Sequence, residues 1–158
     1  MWQIALLVSL FLLLGGVAFM FALSFLAKKP TNLGVTDGKL APCPDMPNCV
    51  CSQATDAEHG MKPWAYTCPD ALVMPALKKI VAESPRATVV TETGDYLYVE
   101  FASALFRFVD DVEFFIDRDR KVIHFRSASR AGKSDLGVNR KRMEELRRKF
   151  FGNTIPVG

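Results

Sequence analysis

The sequence predicts an α+β protein in which a single transmembrane helix precedes a small domain of a four-stranded antiparallel sheet with two helices. Three observations predict this fold: a long uncharged apolar segment, two amphipathic helical patterns, and four strand-like segments with short connections between those helices. A chain of 158 residues, 49% of them hydrophobic, suits one compact domain plus an accessory segment. The predicted division is an anchor over 1–28, a linker over 29–48, the domain over 49–152 and a tail over 153–158.

The first element is a predicted membrane anchor. Residues 4–27 form a run of 24 residues without an ionisable side chain, and about 20 apolar residues cross the hydrocarbon core of a bilayer. A signal peptide, the main competitor, has a basic start and a shorter apolar run, and residues 1–3 contain no Lys or Arg. The adjacent Gly15 and Gly16 are compatible with close helix–helix contact.

Two signals disagree about the side of the membrane on which the domain lies. Lys28 and Lys29 follow the span and no basic residue precedes it, which favours a cytoplasmic domain. The four cysteines of this short anchored chain favour disulfides and therefore an oxidising compartment. On the cysteine evidence we expect an extracytoplasmic domain.

The cysteines are expected to form disulfides, and they are Cys43, Cys49, Cys51 and Cys68. Zinc is the metal alternative, but the spacing C-x5-C-x-C-x16-C lacks the C-x2–4-C pair of common zinc sites. Free thiols are the third alternative. Cys49 and Cys51 are not expected to pair with each other, because a one-residue spacer strains disulfide geometry. No metal site is predicted.

The linker and the first domain helix come next. Residues 28–48 hold four prolines and two glycines without apolar periodicity, which predicts an extended segment with a turn at 45–48. A helix follows Pro69 and ends at Ser84, which precedes a proline. Pro75 lies inside this pattern and predicts either a kink or a later first turn. The predicted apolar stripe consists of Leu72, Ala76, Leu77, Ile80 and Val81.

Four strands and a final helix complete the predicted domain. The strands cover 87–91, 96–102, 106–116 and 122–129, and the third is open to interruption at its paired aspartates. Their short connections require antiparallel pairing, because parallel strands need a long crossover. The last helix covers 138–150, with an apolar face, a basic face and a glycine stop. Both helices are expected to cover one face of the sheet.

Charge is distributed unevenly along the chain. Residues 30–117 hold 6 Lys/Arg against 13 Asp/Glu, a balance of −7, whereas residues 118–158 hold 12 against 4, a balance of +8. This asymmetry favours either a basic surface for nucleic acid, anionic lipid or an acidic partner, or two halves that neutralise each other within the fold. We expect mutual neutralisation.

The candidate site lies between the last strand and the last helix. Its members are Arg126, Ser129, Arg130, Asp135, Asn139 and Arg140. Ser134 or Asp135 can cap the helix, whose N-terminus favours anions, so one interpretation is a pocket for a carboxylate or phosphate. The other interpretation pairs the arginines with Asp110, Asp111 and Glu113 on the neighbouring strand. We expect this structural role, with Arg126 and Arg140 joining the strand and the helix to those acids.

Catalytic patterns are weak in this sequence. His59 and His124 are the two histidines, and neither has a metal-ligand partner at helical spacing or a triad pattern around it. No nucleophile elbow, phosphate loop or dinucleotide fingerprint is present. The alternating aromatic residues fit a sheet core better than stacking platforms for RNA. We therefore expect no catalytic residues, no cofactor and no nucleic-acid partner.

Two stretches resemble the hallmark sequences of the DUF1499 family, a domain of unknown function in bacteria and plastid-bearing organisms. They are "CPDMPNCVCSQA" and "FVDDVEFFIDRDRKVIHFRSASRAGKSDLGVNRKRMEELR". The resemblance covers roughly residues 42–150 and implies a domain that is often exported or membrane-attached, with no agreed activity. It also implies a Cys43–Cys49 disulfide, which leaves Cys51–Cys68 as the second. Cys51 stands where the family commonly has Ser.

The expected function is that of a membrane-anchored, non-enzymatic accessory or assembly subunit of a larger membrane protein complex. The uncharged anchor, the polarised charge and the weak catalytic patterns favour it. The membrane and the other subunits of that complex are the expected partners. The rival is a small anionic-ligand-binding or enzymatic domain that uses the cluster from Arg126 to Arg140.

Overall fold

The computed structural model of the chain describes residues 2–153, which fold into three helices and eight strands. In chain order these are α1 (Trp2–Leu26), β1 (Val35–Thr36), β2 (Lys39–Leu40), β3 (Cys49–Cys51), β4 (Trp64–Ala65), α2 (Asp70–Ala82), β5 (Ala87–Glu92), β6 (Tyr96–Ala102), β7 (Val109–Asp117), β8 (Val122–Ser129) and α3 (Val138–Asn153). The α+β class is confirmed.

The main sheet has six antiparallel strands, not the four that the sequence predicts. Strands β5 to β8 form the predicted meander, and β3 and β4 extend it by pairing along the outer edge of β8. Cys51 lies opposite Arg126, near one end of β8, and Trp64 lies opposite Ile123, near the other. The two added strands are three and two residues long, too short to show an alternating pattern in the sequence.

Strand β7 begins at Val109, three residues later than predicted, and runs without interruption through Asp110 and Asp111. The preceding residues 103–108 form a loop. This loop is closed by a hydrogen bond from the Ser103 N–H to the Phe108 carbonyl (2.8 Å) and by one from the Phe108 N–H to Ser103 Oγ (2.9 Å). These bonds take the chain out of the strand at residue 103 and return it at residue 109.

The hydrophobic core lies between α2, α3 and one face of the sheet. At its centre the Trp64 ring lies 5.3–5.7 Å, between ring centroids, from those of Phe114, Phe125 and Phe150. Two neighbouring strands of the sheet, β7 and β8, and the last helix thus meet at a single tryptophan. The expectation that both helices cover one face of the sheet is confirmed.

Helix α2 corrects one part of the predicted apolar stripe. Val73 is fully buried, whereas Leu72 is 53% exposed and lies on the solvent side. Residues 73, 76, 77, 80 and 81 repeat every three to four positions and keep one face against the sheet. The helix begins at Asp70 and includes Pro75, so Pro75 does not mark its first turn.

The segment after α1 folds onto the domain, where the sequence predicts an extended linker. Strands β1 and β2 form a hairpin around Asp37 and Gly38, which both have positive φ (51° and 72°). An Asp-Gly pair with two positive φ angles is the preferred two-residue hairpin turn, so the signal was present in the sequence. Gln53 holds the hairpin with hydrogen bonds to the Leu40 N–H and the Gly38 carbonyl, both of 2.9 Å.

Helix α1 is long and apolar enough to cross a membrane, with a mean hydropathy of 2.7 and no buried residue. A signal sequence near an N-terminus satisfies the same description. The helix contacts the domain through Phe21, whose ring centroid lies 5.3 Å from that of Phe106 in the loop 103–108.

Two leucines of α2 provide a test of the core assignment. Leu77→Ala is expected to lower the free energy of unfolding by about 2–5 kcal/mol, because the side chain is fully buried. Leu72→Ala, the matched control on the same helix, is expected to change it by less than about 0.5 kcal/mol. Urea titration of the full chain in detergent, followed by the fluorescence of buried Trp64, measures both. Equal losses in the two variants would contradict the assigned stripe.

Candidate functional site

The sheet face opposite the helices carries a cluster of ionisable side chains. The members of this polar face are Tyr96, Tyr98, Glu100, Asp111, Glu113, Arg126 and Arg130. Strand register brings them together, since Tyr98 lies opposite Glu113 and Glu113 lies opposite Arg126 across three neighbouring strands. Asp111 and Glu113 are completely buried, so their charges require partners within the protein.

Arg130 is the most highly connected residue of the polar face. Its Nε lies 3.1 and 3.0 Å from the two carboxylate oxygens of Asp111. Its Nη2 donates to Asp111 Oδ1 (2.7 Å), to Glu100 Oε1 (2.5 Å) and to Tyr98 Oη (2.9 Å). Tyr98 Oη in turn lies 2.6 Å from Asp111 Oδ1 and 2.8 Å from Glu100 Oε1. One guanidinium thus links residues of β6 and β7 to the end of β8.

Protonation equilibria follow from this network. The pKa of Tyr98 is raised by burial and then by Asp111, so its phenol stays protonated and able to donate. Burial alone would raise the pKa of Glu100, but hydrogen bonds from Arg130 and Tyr98 outweigh it and hold that pKa below its usual value. Asp111 raises the pKa of Arg130 further above its usual value. The ionised forms of the Glu100 carboxylate and the Arg130 guanidinium are therefore the stable ones.

A second pair completes the polar face. Arg126 Nη1 lies 3.3 Å from Glu113 Oε2, and both side chains are at most 5% exposed. Glu113 Oε1 accepts two further hydrogen bonds, from Tyr96 Oη (2.8 Å) and from the Gly34 N–H (2.7 Å). The second of these comes from the segment before β1, so this segment covers the polar face. Arg126 thus has the acidic partner that the structural interpretation assigns to it.

The remaining acid of β7 faces the helices. Asp110 pairs with Arg142 of α3, whose guanidinium also donates to Asn139 Oδ1 (2.7 Å) and Ser127 Oγ (3.2 Å). Asn139 Nδ2 donates to Ser129 Oγ (3.0 Å) and to the Asn48 carbonyl. Ser129 and Asn139 therefore belong to this helix-side network. The sheet separates them from Arg126 and Arg130.

Arg140 does not reach the acidic strand, so the predicted role of this residue is wrong. Its guanidinium donates to the backbone carbonyls of Glu58 (2.8 Å) and Gly60 (3.2 Å). Arg142 takes the predicted role instead. The reason is helical geometry: residue 142 lies three positions after buried Asn139 and shares its face, whereas residue 140 is turned about 100° away from it.

Asp135 caps α3, as the sequence suggests. Its Oδ2 accepts the Asn139 N–H (2.7 Å) and its Oδ1 accepts the Gly137 N–H (2.9 Å). A carboxylate of the chain itself therefore satisfies the N–H groups that an external anion would use. The six residues of the predicted cluster thus lie in separate networks and do not line one pocket.

The cysteines form one disulfide. Cys43 and Cys49 are bonded, as the family resemblance implies, whereas Cys51 and Cys68 are free thiols, and the predicted second bridge is wrong. Cys51 lies opposite Arg126, while the chain leading to Cys68 pairs with Val122 at the far end of β8. Four strand residues span about 13 Å, well beyond the Cα separation that a disulfide bridges.

Both histidines have structural surroundings. His59 Nδ1 lies 2.8 Å from Asp56 Oδ1, and its Nε2 lies 3.2 Å from the Met46 carbonyl. Burial opposes protonation of His59, but these two hydrogen bonds outweigh it and raise its pKa. His124 Nδ1 lies 3.2 Å from Ser52 Oγ, and burial lowers its pKa. With both ring nitrogens engaged by acceptors, His59 is not available as a base.

In the described part of the chain, no group of three or more His, Cys, Asp or Glu residues is placed to hold a metal ion. A cleft of about 400 Å³ on the helix side is lined by Arg142 and Asp110, which pair with each other. A second cleft, of about 430 Å³, lies beside Cys51 and His59. Burial raises the pKa of the Cys51 thiol, which disfavours a reactive thiolate there.

Sequence reasoning missed several members of these networks. Tyr96, Tyr98 and Glu100 alternate along β6, but the sequence interpretation counts the two tyrosines among the core aromatics and gives Glu100 no role. It places Arg142 only on the basic face of the last helix. The alternation of Tyr, Tyr and Glu at every second position could have placed them together on one face. Their partners on β8 could not be identified without the register between strands.

Comparison with known proteins identifies one family. The profile described as a protein of unknown function, DUF1499, matches residues 39–150. Comparisons with curated proteins and with solved structures give no significant match. The match begins at β2 and ends within α3, so it includes every strand of the main sheet.

Removal of one arginine tests the structural role of the polar face. Arg126→Ala leaves Glu113 buried without its cation, so the free energy of unfolding is expected to fall by about 3–5 kcal/mol. Arg120→Ala, whose wild-type side chain is 77% exposed, is expected to change it by less than about 1 kcal/mol. Urea unfolding of the full chain in detergent provides both values.

Two further measurements separate this role from an anion pocket. The double variant Arg126→Met with Glu113→Leu is expected to recover much of the lost stability, because no unpaired charge remains. Added phosphate is expected to stabilise neither the wild type nor Arg126→Ala. A stable Arg126→Ala protein that had lost a phosphate-dependent rise in Tm would contradict the structural role.

Thiol counting tests the cysteine assignment. Alkylation under denaturing, non-reducing conditions is expected to label two of the four cysteines, Cys51 and Cys68, and reduction first is expected to label all four. In the folded protein Cys68 should react before Cys51, which is only 2% exposed. Mass spectrometry of peptides reports each site. If no cysteine were labelled without reduction, the Cys51–Cys68 disulfide would be present after all. If all four were labelled without reduction, the Cys43–Cys49 disulfide would be excluded.

Proposed function

The chain belongs to the DUF1499 family, and we propose that it is a membrane-anchored, non-enzymatic accessory or assembly subunit of a larger membrane protein complex. The observation that carries this proposal is α1, a 25-residue apolar helix with no buried residue. Such a surface is stable in lipid or against other transmembrane helices. The domain is attached close to this helix through Phe21 and Phe106.

The state of the ionisable side chains supports the non-enzymatic part. The buried carboxylates Asp110, Asp111 and Glu113 are each paired with an arginine. A general acid or base needs a group that is free to exchange its proton with a substrate. Groups held in these ion pairs stabilise the fold instead.

The positions of the arginines favour this proposal over the rival function. An anionic ligand bound by both Arg126 and Arg140 would require the two guanidinium groups to converge. Arg126 is bound to Glu113 on the polar face, and Arg140 is bound to the carbonyls of Glu58 and Gly60. The two arginines serve different parts of the fold.

The disulfide supports an extracytoplasmic domain. Bonds such as Cys43–Cys49 form and persist in oxidising compartments and are rare in the cytosol. Lys28 and Lys29 after the span favour the opposite orientation. Lys29 is, however, engaged with the domain, 3.9 Å from Glu100 Oε1 and 4.5 Å from the Tyr98 ring centroid. The position of Lys29 after α1 is thus explained by its contacts with the domain, without reference to membrane orientation.

Native mass analysis tests the proposal. After extraction in a mild detergent, the tagged protein is expected to appear in an assembly well above its monomer mass of 17.6 kDa, with at least one other polypeptide. Detection only as a lone monomer from its native membrane, at several detergent strengths, would refute the subunit role.

Glycine variants in α1 make the test specific. A Cβ added at Gly15 or Gly16 meets no atom within 4 Å, so larger side chains there leave the fold of the domain unchanged. Gly15→Leu with Gly16→Leu is expected to weaken the assembly by blocking close helix contact. Leu13→Ile with Leu14→Ile is the matched control and should retain it. Domain stability is expected to be the same in both.

A further inference from the structure

The loop 103–108 lies against α1 and carries several apolar residues. Phe106 packs on Phe21, and Phe108 lies beside Phe106 with their ring centroids 6.1 Å apart. Leu105, at the tip of the loop, is 67% exposed. An exposed leucine next to two aromatic side chains is an apolar tip that is unfavourable in water.

The contact with α1 sets the depth of this loop. Phe21 precedes Leu26, the last residue of α1, by five residues, which corresponds to about 7.5 Å along a helix axis. The 25 residues of α1 span about 37 Å, more than the ~30 Å hydrocarbon core of a bilayer. In a membrane, Phe21 and the Phe106 ring beside it therefore lie near the boundary between acyl chains and headgroups. Aromatic side chains favour this boundary.

A cleft of about 420 Å³ opens at this level between α1 and the loop. Phe21, Phe25 and Phe106 give it an apolar side, and Arg107 and Arg130 give it a cationic side. The guanidinium of Arg130 is already held by Asp111 and Glu100. Arg107 is exposed, and no acid of residues 2–153 forms an ion pair with it. Its charge is available to a ligand.

We propose that this cleft binds an anionic phospholipid of the bilayer that α1 spans, with the phosphate near Arg107 and the upper acyl chain against Phe21, Phe25 and Phe106. The apolar and cationic sides match the two parts of one lipid molecule, and both lie at the depth where those parts meet. This inference rests on the membrane anchoring in the proposed function but is independent of the partner subunits. The lipid would fix the domain against the membrane surface next to its own anchor.

Lipid retention by the full chain tests the site. The protein, purified in a neutral detergent, is titrated with phosphatidylglycerol or with phosphatidylcholine, and the bound lipid is counted by native mass spectrometry. Wild type is expected to retain phosphatidylglycerol selectively. Arg107→Gln should reduce that retention about fivefold, the effect of one basic residue at an anionic surface. Phe106→Ser should reduce the retention of both lipids.

A matched control isolates the site. Arg120 is also exposed and lies in the turn at the other end of β7, about nine strand residues or 30 Å from Arg107. Arg120→Gln is expected to retain as much phosphatidylglycerol as the wild type. Equal retention by Arg107→Gln and Arg120→Gln, or equal retention of the two lipids by the wild type, would overturn the proposal.

Two additional measurements distinguish failure of the lipid site from failure of the membrane anchor. Inorganic phosphate is expected not to displace the bound lipid, and displacement would show that the cleft is a phosphate site. Alkaline carbonate extraction of native membranes is expected to leave wild type and Arg107→Gln in the membrane equally. Release of the wild type would refute the anchor on which both proposals rest. A lipid-selective lone monomer would refute only the subunit role.

Discussion

The constraint on which the structure depends is that two consecutive aspartates lie in the interior of a sheet. Adjacent strand residues point to opposite faces, so Asp110 and Asp111 of β7 cannot share a partner. β7 lies between β6 and β8, and both residues are buried. Since a buried, unpaired carboxylate costs several kcal/mol, each face needs its own cation. Arg142 supplies it on the helix side and Arg130 on the polar face.

This requirement explains the uneven charge along the chain. The cations that neutralise the acids of β7 come from β8, from the residue that follows it and from α3, all in the basic C-terminal part. Within residues 2–153, seven ion pairs join the acidic and basic halves, and three of them hold the buried acids of β7, which supports mutual neutralisation over a basic binding surface. The same acids also position the N-terminal segment, because Glu113 accepts the Gly34 N–H and Glu100 lies near Lys29. The segment after α1 is therefore part of the folded unit.

The sequence was sufficient where local rules decide the structure. The meander of β5 to β8 and the ends of β6 and β8 follow from alternation and short connections, and the cap at Asp135 follows from side-chain chemistry. The sequence was insufficient where the contacting residues are far apart along the chain. β3 and β4 are too short for a pattern and exist because β8 offers them an edge. Cys68 is likewise distant in the fold from Cys51, so the two do not form a disulfide. Arg142 rather than Arg140 pairs with Asp110, and which of the two does so depends on how α3 is rotated against the sheet.

The polar face and the proposed lipid cleft share one residue, which connects the surroundings of α1 to the domain. Arg130 lines the cleft while its guanidinium holds Glu100, and Glu100 in turn holds Lys29, the third residue after α1. Because Arg130 and Tyr98 keep the pKa of Glu100 below its ordinary value of 4.5, the contribution of this carboxylate to stability is complete above that value. It is lost only as the pH falls through the lowered pKa. At neutral and mildly acidic pH the domain therefore contacts α1 and the segment after it at two points, through Glu100 with Lys29 and through Phe106 with Phe21.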